Sequence, residues 1–204
     1  MIQIKALGFD LGGVVLASEQ EKFYGYAAVA LGVPVDNMKS SVWKFQPELE
    51  RGNIQIEQFW QNVTADLGVA YDLQLDVPLW RSHYVEDSII NSQVLKWCDD
   101  FRKRGYRVGL LSNTHEEHIQ LNQNRGIFEH FDTCLFSSRI HTRKPETEAY
   151  QALWQALGVE QQQLVFVDDR PENVAAAKTL GIQAIEYTNN QELFDNFKQL
   201  GVLA

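Results

Sequence analysis

The stretch Leu164–Asp169 reads LVFVDD, four consecutive apolar residues followed by two adjacent carboxylates. A short apolar run of this kind suits a strand that is buried on both faces, as in a parallel sheet covered by helices. The carboxylates would then stand at the carboxyl end of the strand, where open parallel sheets bind their ligands. The stretch therefore predicts an α/β fold with a polar site just beyond Val167.

Similar apolar runs recur along the chain and extend this pattern. We predict five buried strands, at Ile4–Phe9, Arg107–Leu111, Thr133–Phe136, Gln163–Val167 and Gln183–Glu186. Helical patterns lie at about 90–104, 114–125, 146–157, 172–181 and 190–200. Strands that alternate with helices of this length indicate a Rossmann-like parallel sheet with right-handed crossovers.

The stretch between Leu16 and Ser88 breaks this alternation, because it contains no convincing buried strand. Ser18 and Glu21 have the spacing of a capping box in front of an apolar run. Between residues 54 and 67, apolar side chains recur at helical spacing. We therefore predict a core domain of residues 1–16 and 89–204, with a helical cap of residues 17–88 inserted after the first strand.

Length and composition limit the classes of function. The chain has 204 residues, of which 45% are hydrophobic, enough for one α/β core and a modest insertion. The net charge of −9 argues against nucleic acid as a partner, because binding its phosphates needs a basic surface. We see no signal peptide, no membrane-spanning run and no paired cysteines. We expect a cytoplasmic protein, a monomer or homodimer, with neither membrane nor nucleic-acid partners.

Reactive groups stand where the predicted strands end. Asp10 ends the first strand, Ser112 and Asn113 end the second, and Asp168 with Asp169 ends the fourth. Three carboxylates in one poorly solvated place repel one another, and without a cation the pKa of at least one would rise. Mg²⁺ prefers such hard oxygen ligands, so a magnesium site is one interpretation. The alternative for the late acidic pair is a polar turn that caps the next helix.

Two neighbouring segments suit the same site. Lys144, just before the helix predicted near Pro145, would with Mg²⁺ balance the three carboxylates; a solvated loop lysine is the alternative. The glycines at 12 and 13 would let backbone N–H groups approach a phosphate, or merely form a tight turn. Thr114 and Glu117 have capping-box spacing, which predicts a helix N-terminus there, and free N–H groups at such an end bind anions.

Taken in this order, the four segments resemble the motifs of the haloacid dehalogenase-like (HAD) superfamily. They read FDLGGVV from Phe9, LLSNT from Leu110, RKP from Arg143 and VFVDD from Val165. The resemblance extends over essentially the whole chain, and the helical insert is similar to the C1-type cap of this superfamily. The segment ERGNI from Glu50, with LSNT and RKPE, is similar to bacterial sugar-1-phosphate phosphatases such as those acting on α-D-glucose 1-phosphate.

The resemblance implies a Mg²⁺-dependent phosphatase that acts on a small phosphorylated metabolite, a sugar phosphate with a good leaving group. Asp10 would be the nucleophile and form an aspartyl phosphate. Ser112 and the backbone of Asn113 would hold the phosphoryl oxygens. Lys144 would neutralise the charge that develops and restrain the nucleophile.

The resemblance also implies a set of metal ligands and substrate contacts. The metal ligands would be Asp10, the Gly12 carbonyl, Asp168 and Asp169. Gly12 would also lie against the phosphate. Apart from the resemblance, we expect two cap residues, Arg51 and His83, to face the site, with Arg51 contacting the substrate; an exposed surface position is the alternative for each.

Gly12 is a departure from the family pattern. HAD phosphatases usually carry there a second Asp, the general acid that protonates the leaving group, and such an acid contributes about 10²–10⁴-fold. Three explanations remain open: a good leaving group, a proton from another residue such as His115, or weak catalysis. The alternatives for the protein as a whole are a dehalogenase-type HAD hydrolase and a catalytically weak binding protein that kept the scaffold.

Overall fold

The computed structural model describes residues 3–17, 20–70 and 83–203. This part of the chain contains seven strands: β1 Ala6–Phe9, β2 Leu16–Ala17, β3 Ile89–Ile90, β4 Arg107–Ser112, β5 Thr133–Phe136, β6 Leu164–Asp168 and β7 Gln183–Glu186. Five of them form one parallel sheet in the order β5-β4-β1-β6-β7. The predicted α/β class with a parallel core sheet is confirmed, although the first strand begins two residues later than predicted.

Ten α-helices accompany the strands in the described residues. They are α1 Gln20–Leu31, α2 Val35–Glu50, α3 Ile56–Leu67, α4 His83–Asp87, α5 Ser92–Lys103, α6 Glu116–Asn124, α7 Ser137–Ile140, α8 Thr147–Leu157, α9 Pro171–Thr179 and α10 Asn190–Gln199. Short 3₁₀ helices lie at Ile127–His130 and Gln161–Gln163. No helix within the described ranges combines the length and the apolar character needed to cross a lipid bilayer.

The central strand β1 is buried on both faces, which explains its uninterrupted apolar sequence. Leu7 and Phe9 pack in the cluster that includes Phe101 of α5 and Phe197 of α10. Ala6 belongs to the opposite cluster, with residues of α8 and α9 such as Leu153. Since neighbours on a strand point to opposite faces, this alternation gives the sheet a helical layer on each side.

The helices α1, α2 and α3 share a separate apolar cluster. Tyr24, Met38, Val42, Phe59 and Val63 are among its fully buried members. The helical spacing between residues 54 and 67 corresponds to α3, whose apolar face packs on α2. The predicted capping box of Ser18 and Glu21 lies outside the side chains that the structure describes.

A two-stranded ribbon joins the two ends of the helical insert. Leu16 pairs with Ile90 and Ala17 with Ile89 in antiparallel register. The sequence does not predict this ribbon, because two residues are too few to show a strand period. The ribbon ties both connections of the insert together beside the end of β1.

Candidate active site

A buried lysine joins the ends of two neighbouring strands. Asp10 follows β1 and Asp168 ends β6, and the parallel pairing of these strands sets the two carboxylates side by side. Lys144 Nζ lies 2.7 Å from Asp10 Oδ1 and 2.6 Å from Asp168 Oδ2, and its side chain is 1% exposed. The solvated loop lysine considered as an alternative is therefore not what the structure contains.

Asp168 is completely enclosed by hydrogen-bond donors. Its Oδ1 accepts from the backbone N–H of Arg170 at 3.0 Å and from Asn173 Nδ2 at 2.9 Å, while Oδ2 accepts from Lys144. These bonds fix the carboxylate and, through it, the position of the ammonium. Asn173 did not emerge from the sequence, because an isolated Asn inside a helical pattern carries no motif.

Asp169 completes a group of three carboxylates. Oxygen atoms of Asp10, Asp168 and Asp169 all lie within 4.8 Å of one another. Gly13 permits this approach: its φ is +78°, and a Cβ at that position would lie 2.1 Å from Asp169 Oδ2. Three hard oxygen donors at one partly open point suit Mg²⁺.

The electrostatics of this cluster favour the binding of a divalent cation. Burial raises the pKa of Asp10 to about 8. The charge of Lys144 lowers this pKa, and the charge of Asp168 raises it. Burial, followed by Asp168, also raises the pKa of Asp169. Burial lowers the pKa of Lys144, but Asp10 and Asp168 together raise it by more. Three carboxylates face one ammonium, so a divalent cation would neutralise the remaining charge.

The turn after β4 is locked to the loop that carries the lysine. Ser112 is buried at the end of the strand. Asn113 Nδ2 donates to the carbonyl of Lys144, and the N–H of Lys144 donates to Asn113 Oδ1, each at 2.8 Å. The side chain of Asn113 therefore holds the Lys144 loop, which leaves its backbone N–H as the group available to a phosphate.

The capping box predicted for Thr114 and Glu117 is wrong. The helix α6 begins at Glu116, its N-cap is His115, and no side chain caps it. Glu117 instead bonds the ring of His115, with Nδ1 and Oε2 2.9 Å apart. The N–H of Thr114 donates to Ser137 Oγ at 2.9 Å, so the tertiary contact replaces the local cap.

A cavity of about 230 Å³ lies over these groups. The core contributes the floor, which includes Asp10, Gly12, Ser112, Asn113, Lys144 and Asp169. The helical insert contributes the opposite wall, with Phe23, Val42, Gln46, Leu49 and Glu50. The cavity is therefore enclosed between the sheet edge and the helices that follow the first strand.

Arg51 lies beside this cavity, not in its wall. Its guanidinium pairs with Glu146 of the core, while its neighbour Glu50 lines the cavity and pairs with Arg143 at 2.7 Å. These crossed pairs hold the end of α2 against the loop that precedes α8. Arg51 therefore does not line the cavity, and its contact with substrate stays a prediction, since spacing along the sequence cannot tell which of two adjacent charged residues faces inward.

Three aromatic rings lie against one another in another part of the wall, and His118 is stacked on Tyr84 but tilted relative to His115. The ring of His118 lies 3.7 Å from that of Tyr84 and 4.0 Å from that of His115, measured between centroids. Burial, followed by the charge of His115, holds the pKa of His118 well below its usual range. The side chain of His83, which we expected to face the site, lies outside the described residues.

A family model for haloacid dehalogenase-like hydrolases matches residues 4–181, and the chain belongs to this family of enzymes. Over 88 residues it is 34% identical to phosphatase MT3486 of Mycobacterium tuberculosis, covering 42% of this chain and 41% of that protein. Over 136 residues it is 28% identical to the phosphoglycolate phosphatase of Rhodospirillum rubrum, covering 59% and 56%. The chain thus spans about half the length of these curated relatives.

The fold has a close counterpart among solved structures. The HAD family enzyme bt-2542 of Bacteroides thetaiotaomicron, in a crystal structure with magnesium and inorganic phosphate, superposes with a TM-score of 0.75. The two chains are 22% identical, and the match covers 94% of this chain and 99% of that one. This likeness shows a common fold.

Proposed function

We propose that this protein is a magnesium-dependent phosphatase that hydrolyses a small phosphorylated metabolite through an aspartyl phosphate on Asp10. The observation that carries the proposal is the buried Lys144 ammonium between Asp10 and Asp168, with Asp169 alongside. A buried ion pair of this kind costs desolvation energy, which favours a catalytic purpose over stability as the reason for it.

The first half of the reaction is a displacement at phosphorus. A carboxylate oxygen of Asp10 forms a bond to phosphorus while the bond to the leaving oxygen breaks. Lys144 keeps the carboxylate oriented and offsets the charge that develops on the phosphoryl oxygens. Ser112 Oγ and the backbone N–H of Asn113 hold those oxygens.

The second half releases the phosphate. Water attacks phosphorus, and the bond to Asp10 breaks to regenerate the carboxylate. Mg²⁺, held by Asp10, the Gly12 carbonyl and Asp169, would supply positive charge to the phosphoryl group. Because the oxygens of Asp168 are engaged by three donors, Asp168 acts in this scheme by holding Lys144, and it would add negative charge beside the ligands of the ion.

The substrate proposed is a sugar phosphate with a good leaving group, and residues 17–88 would act as the cap over it. Pockets for drug-sized ligands have volumes of about 300–1,000 Å³. The cavity here, of about 230 Å³, is smaller and therefore suits a small metabolite. The crossed ion pairs of Glu50 and Arg51 with the core support a cap that closes against the loop carrying Lys144.

A dehalogenase-type hydrolase is the second candidate, and Gly12 is the observation that favours it. The three-carboxylate cluster opposes it, since displacement of a halide does not need a divalent ion. Phosphate release from phosphate monoesters and halide release from 2-haloacids, each assayed with Mg²⁺ and with EDTA, separate the two. We expect phosphate release that EDTA abolishes; EDTA-resistant halide release would establish the dehalogenase instead.

A further inference from the structure

We infer that His115, oriented by Glu117, is the proton donor to the leaving group and replaces the carboxylic acid that Gly12 lacks. This inference rests on the proposed phosphatase function and adds the group that completes it. Without such a donor, only substrates whose leaving oxygen departs as a stable anion would be hydrolysed well.

The position of His115 fits this role. The residue is 5% exposed and lines the same cavity as Asp10 and Gly12. The turn that carries it is fixed, because Thr114 N–H donates to Ser137 Oγ and the Ser137 hydroxyl donates to the carbonyl of Thr114. The imidazole therefore stands at a defined place in the wall, directly after the turn that would hold the phosphoryl oxygens.

The orientation of the ring follows from its partner. His115 Nδ1 lies 2.9 Å from Glu117 Oε2, and a carboxylate only accepts hydrogen bonds, so Nδ1 carries the hydrogen. Nε2 is then the nitrogen that gives and takes the exchangeable proton. Because Nε2 is enclosed in this arrangement, the leaving oxygen reaches it only after the wall side chains that cover it shift. A carboxylate that fixes the tautomer and stabilises the imidazolium is the arrangement used by catalytic histidines.

Three other titratable residues of the described wall are less suited to donate. Burial keeps the pKa of His118 well below its usual range, so this ring is neutral near pH 7. Burial raises the pKa of Tyr84, which makes its hydroxyl a weaker acid. Glu50 is tied to Arg143, with the ionised guanidinium 2.7 Å away. His115 is the group in this set that combines a place in the cavity wall with a carboxylate that orients its ring.

The proton balance closes over the two steps. As Asp10 bonds to phosphorus and the leaving oxygen departs, that oxygen takes the proton of His115 Nε2. When water then attacks phosphorus, it gives a proton to Nε2, and the Asp10 carboxylate is released. The net reaction converts ester and water into alcohol and phosphate, with His115 protonated again.

Phosphate monoesters with graded leaving groups test the inference. p-Nitrophenyl phosphate needs no proton donor, because its phenolate leaves as a stable anion, whereas an alkyl phosphate does. For His115→Gln we expect kcat/KM to fall about 10²–10³-fold on the alkyl ester and less than about threefold on p-nitrophenyl phosphate. An equal loss on both esters, or no loss on either, would overturn the inference, because a merely structural role does not depend on the leaving group.

Two further variants keep the result interpretable. Glu117→Gln retains the imidazole and removes its partner, so we expect a smaller loss, of about tenfold, with the same dependence on the leaving group. Glu117→Gln serves as the test if His115→Gln does not fold. An equal loss of kcat/KM on both esters in Glu117→Gln would count against the inference. Gly12→Asp in the His115→Gln background should restore kcat/KM on the alkyl ester. The position has room for the side chain, since a Cβ at Gly12 meets no atom within 4 Å.

Matched controls separate this inference from the proposed function. His130 forms a similar pair with Asp99, its Nδ1 3.0 Å from the carboxylate, and lies outside the cavity. His130→Gln should leave the dependence on the leaving group unchanged. Asp87→Asn, at another carboxylate of the wall, should do the same; if it instead abolishes alkyl-ester turnover, Asp87 is the donor. Wild-type protein that hydrolyses none of the esters with Mg²⁺ would contradict the phosphatase function itself.

Discussion

Gly13 and Asp169 approach so closely that no side chain fits between them, since a Cβ on Gly13 would lie 2.1 Å from Asp169 Oδ2. The contact joins the loop after β1 to the end of β6. It is the reason that glycine, with its left-handed φ of +78°, stands at this position.

Gly13→Ala should therefore weaken metal binding. The added methyl group forces Asp169 away from Asp10, and we expect the affinity for Mg²⁺ to fall at least about tenfold, as measured by calorimetric titration. Gly12→Ala is the matched control, because its Cβ would meet no atom within 4 Å and its φ is not in the left-handed region. Equal Mg²⁺ affinity in wild type and Gly13→Ala would mean that Asp169 is not a ligand.

Asp10→Asn should change how stability depends on pH in the metal-free protein. The pKa of Asp10 is about 8 in the folded state and near 3.8 in the unfolded state, so between these values the folded state binds one proton more. The free energy of unfolding should then fall as pH rises from about 4 to about 8, by at most about 1.4 kcal/mol per unit.

The variant removes this dependence, because an amide does not titrate. We expect the difference in unfolding free energy between variant and wild type to grow in favour of the variant from pH 5 to pH 8, by urea denaturation in EDTA. Mg²⁺ should reduce that difference by restoring the carboxylate. A difference that does not change with pH would show that the pKa of Asp10 is not raised.

Lys144→Ala should be strongly destabilising as well as inactive. Removing the ammonium leaves two buried carboxylates without their partner, and breaking a buried pair in this way costs about 3–5 kcal/mol. The exposed pair of Lys44 and Asp66 provides the comparison, since Lys44→Ala should destabilise the protein far less than Lys144→Ala. Similar losses for both variants in chemical denaturation would argue against the buried arrangement.

Gly12→Asp should raise turnover of phosphate esters with poor leaving groups. The position has room for a side chain, and a carboxylic acid there would supply a second proton donor. We expect kcat/KM on an alkyl phosphate to rise about tenfold and that on p-nitrophenyl phosphate to change little. An unchanged alkyl-ester rate would mean that protonation of the leaving group does not limit this enzyme.

The strands and the residues at their ends could be predicted because burial leaves a direct trace in the sequence. The apolar run before Asp168 and the one before Asp10 mark strands covered on both faces, and parallel pairing then brings their ends together. The class of fold and the convergence of Lys144 with these carboxylates followed from such local patterns and from the family resemblance.

Other features depended on contacts between distant segments. Thr114 and Glu117 have the spacing of a capping box, but Ser137 and His115 take their hydrogen bonds instead. Arg51 pairs with Glu146, 95 positions away, and no local sequence pattern predicts this partner. The local capping pattern does not form here, because a hydrogen bond from a distant residue satisfies the same backbone group.

The central claim is that Asp10 attacks phosphorus, and trapping the covalent intermediate tests it most directly. Protein mixed with a phosphate monoester and Mg²⁺ is quenched with acid and treated with borohydride, which reduces an aspartyl phosphate to homoserine, and the peptides are mapped by mass spectrometry. We predict homoserine at position 10 in the wild type, and none in EDTA or in Asp10→Asn. Steady turnover without any modification at position 10, or modification at a different residue, would contradict the account.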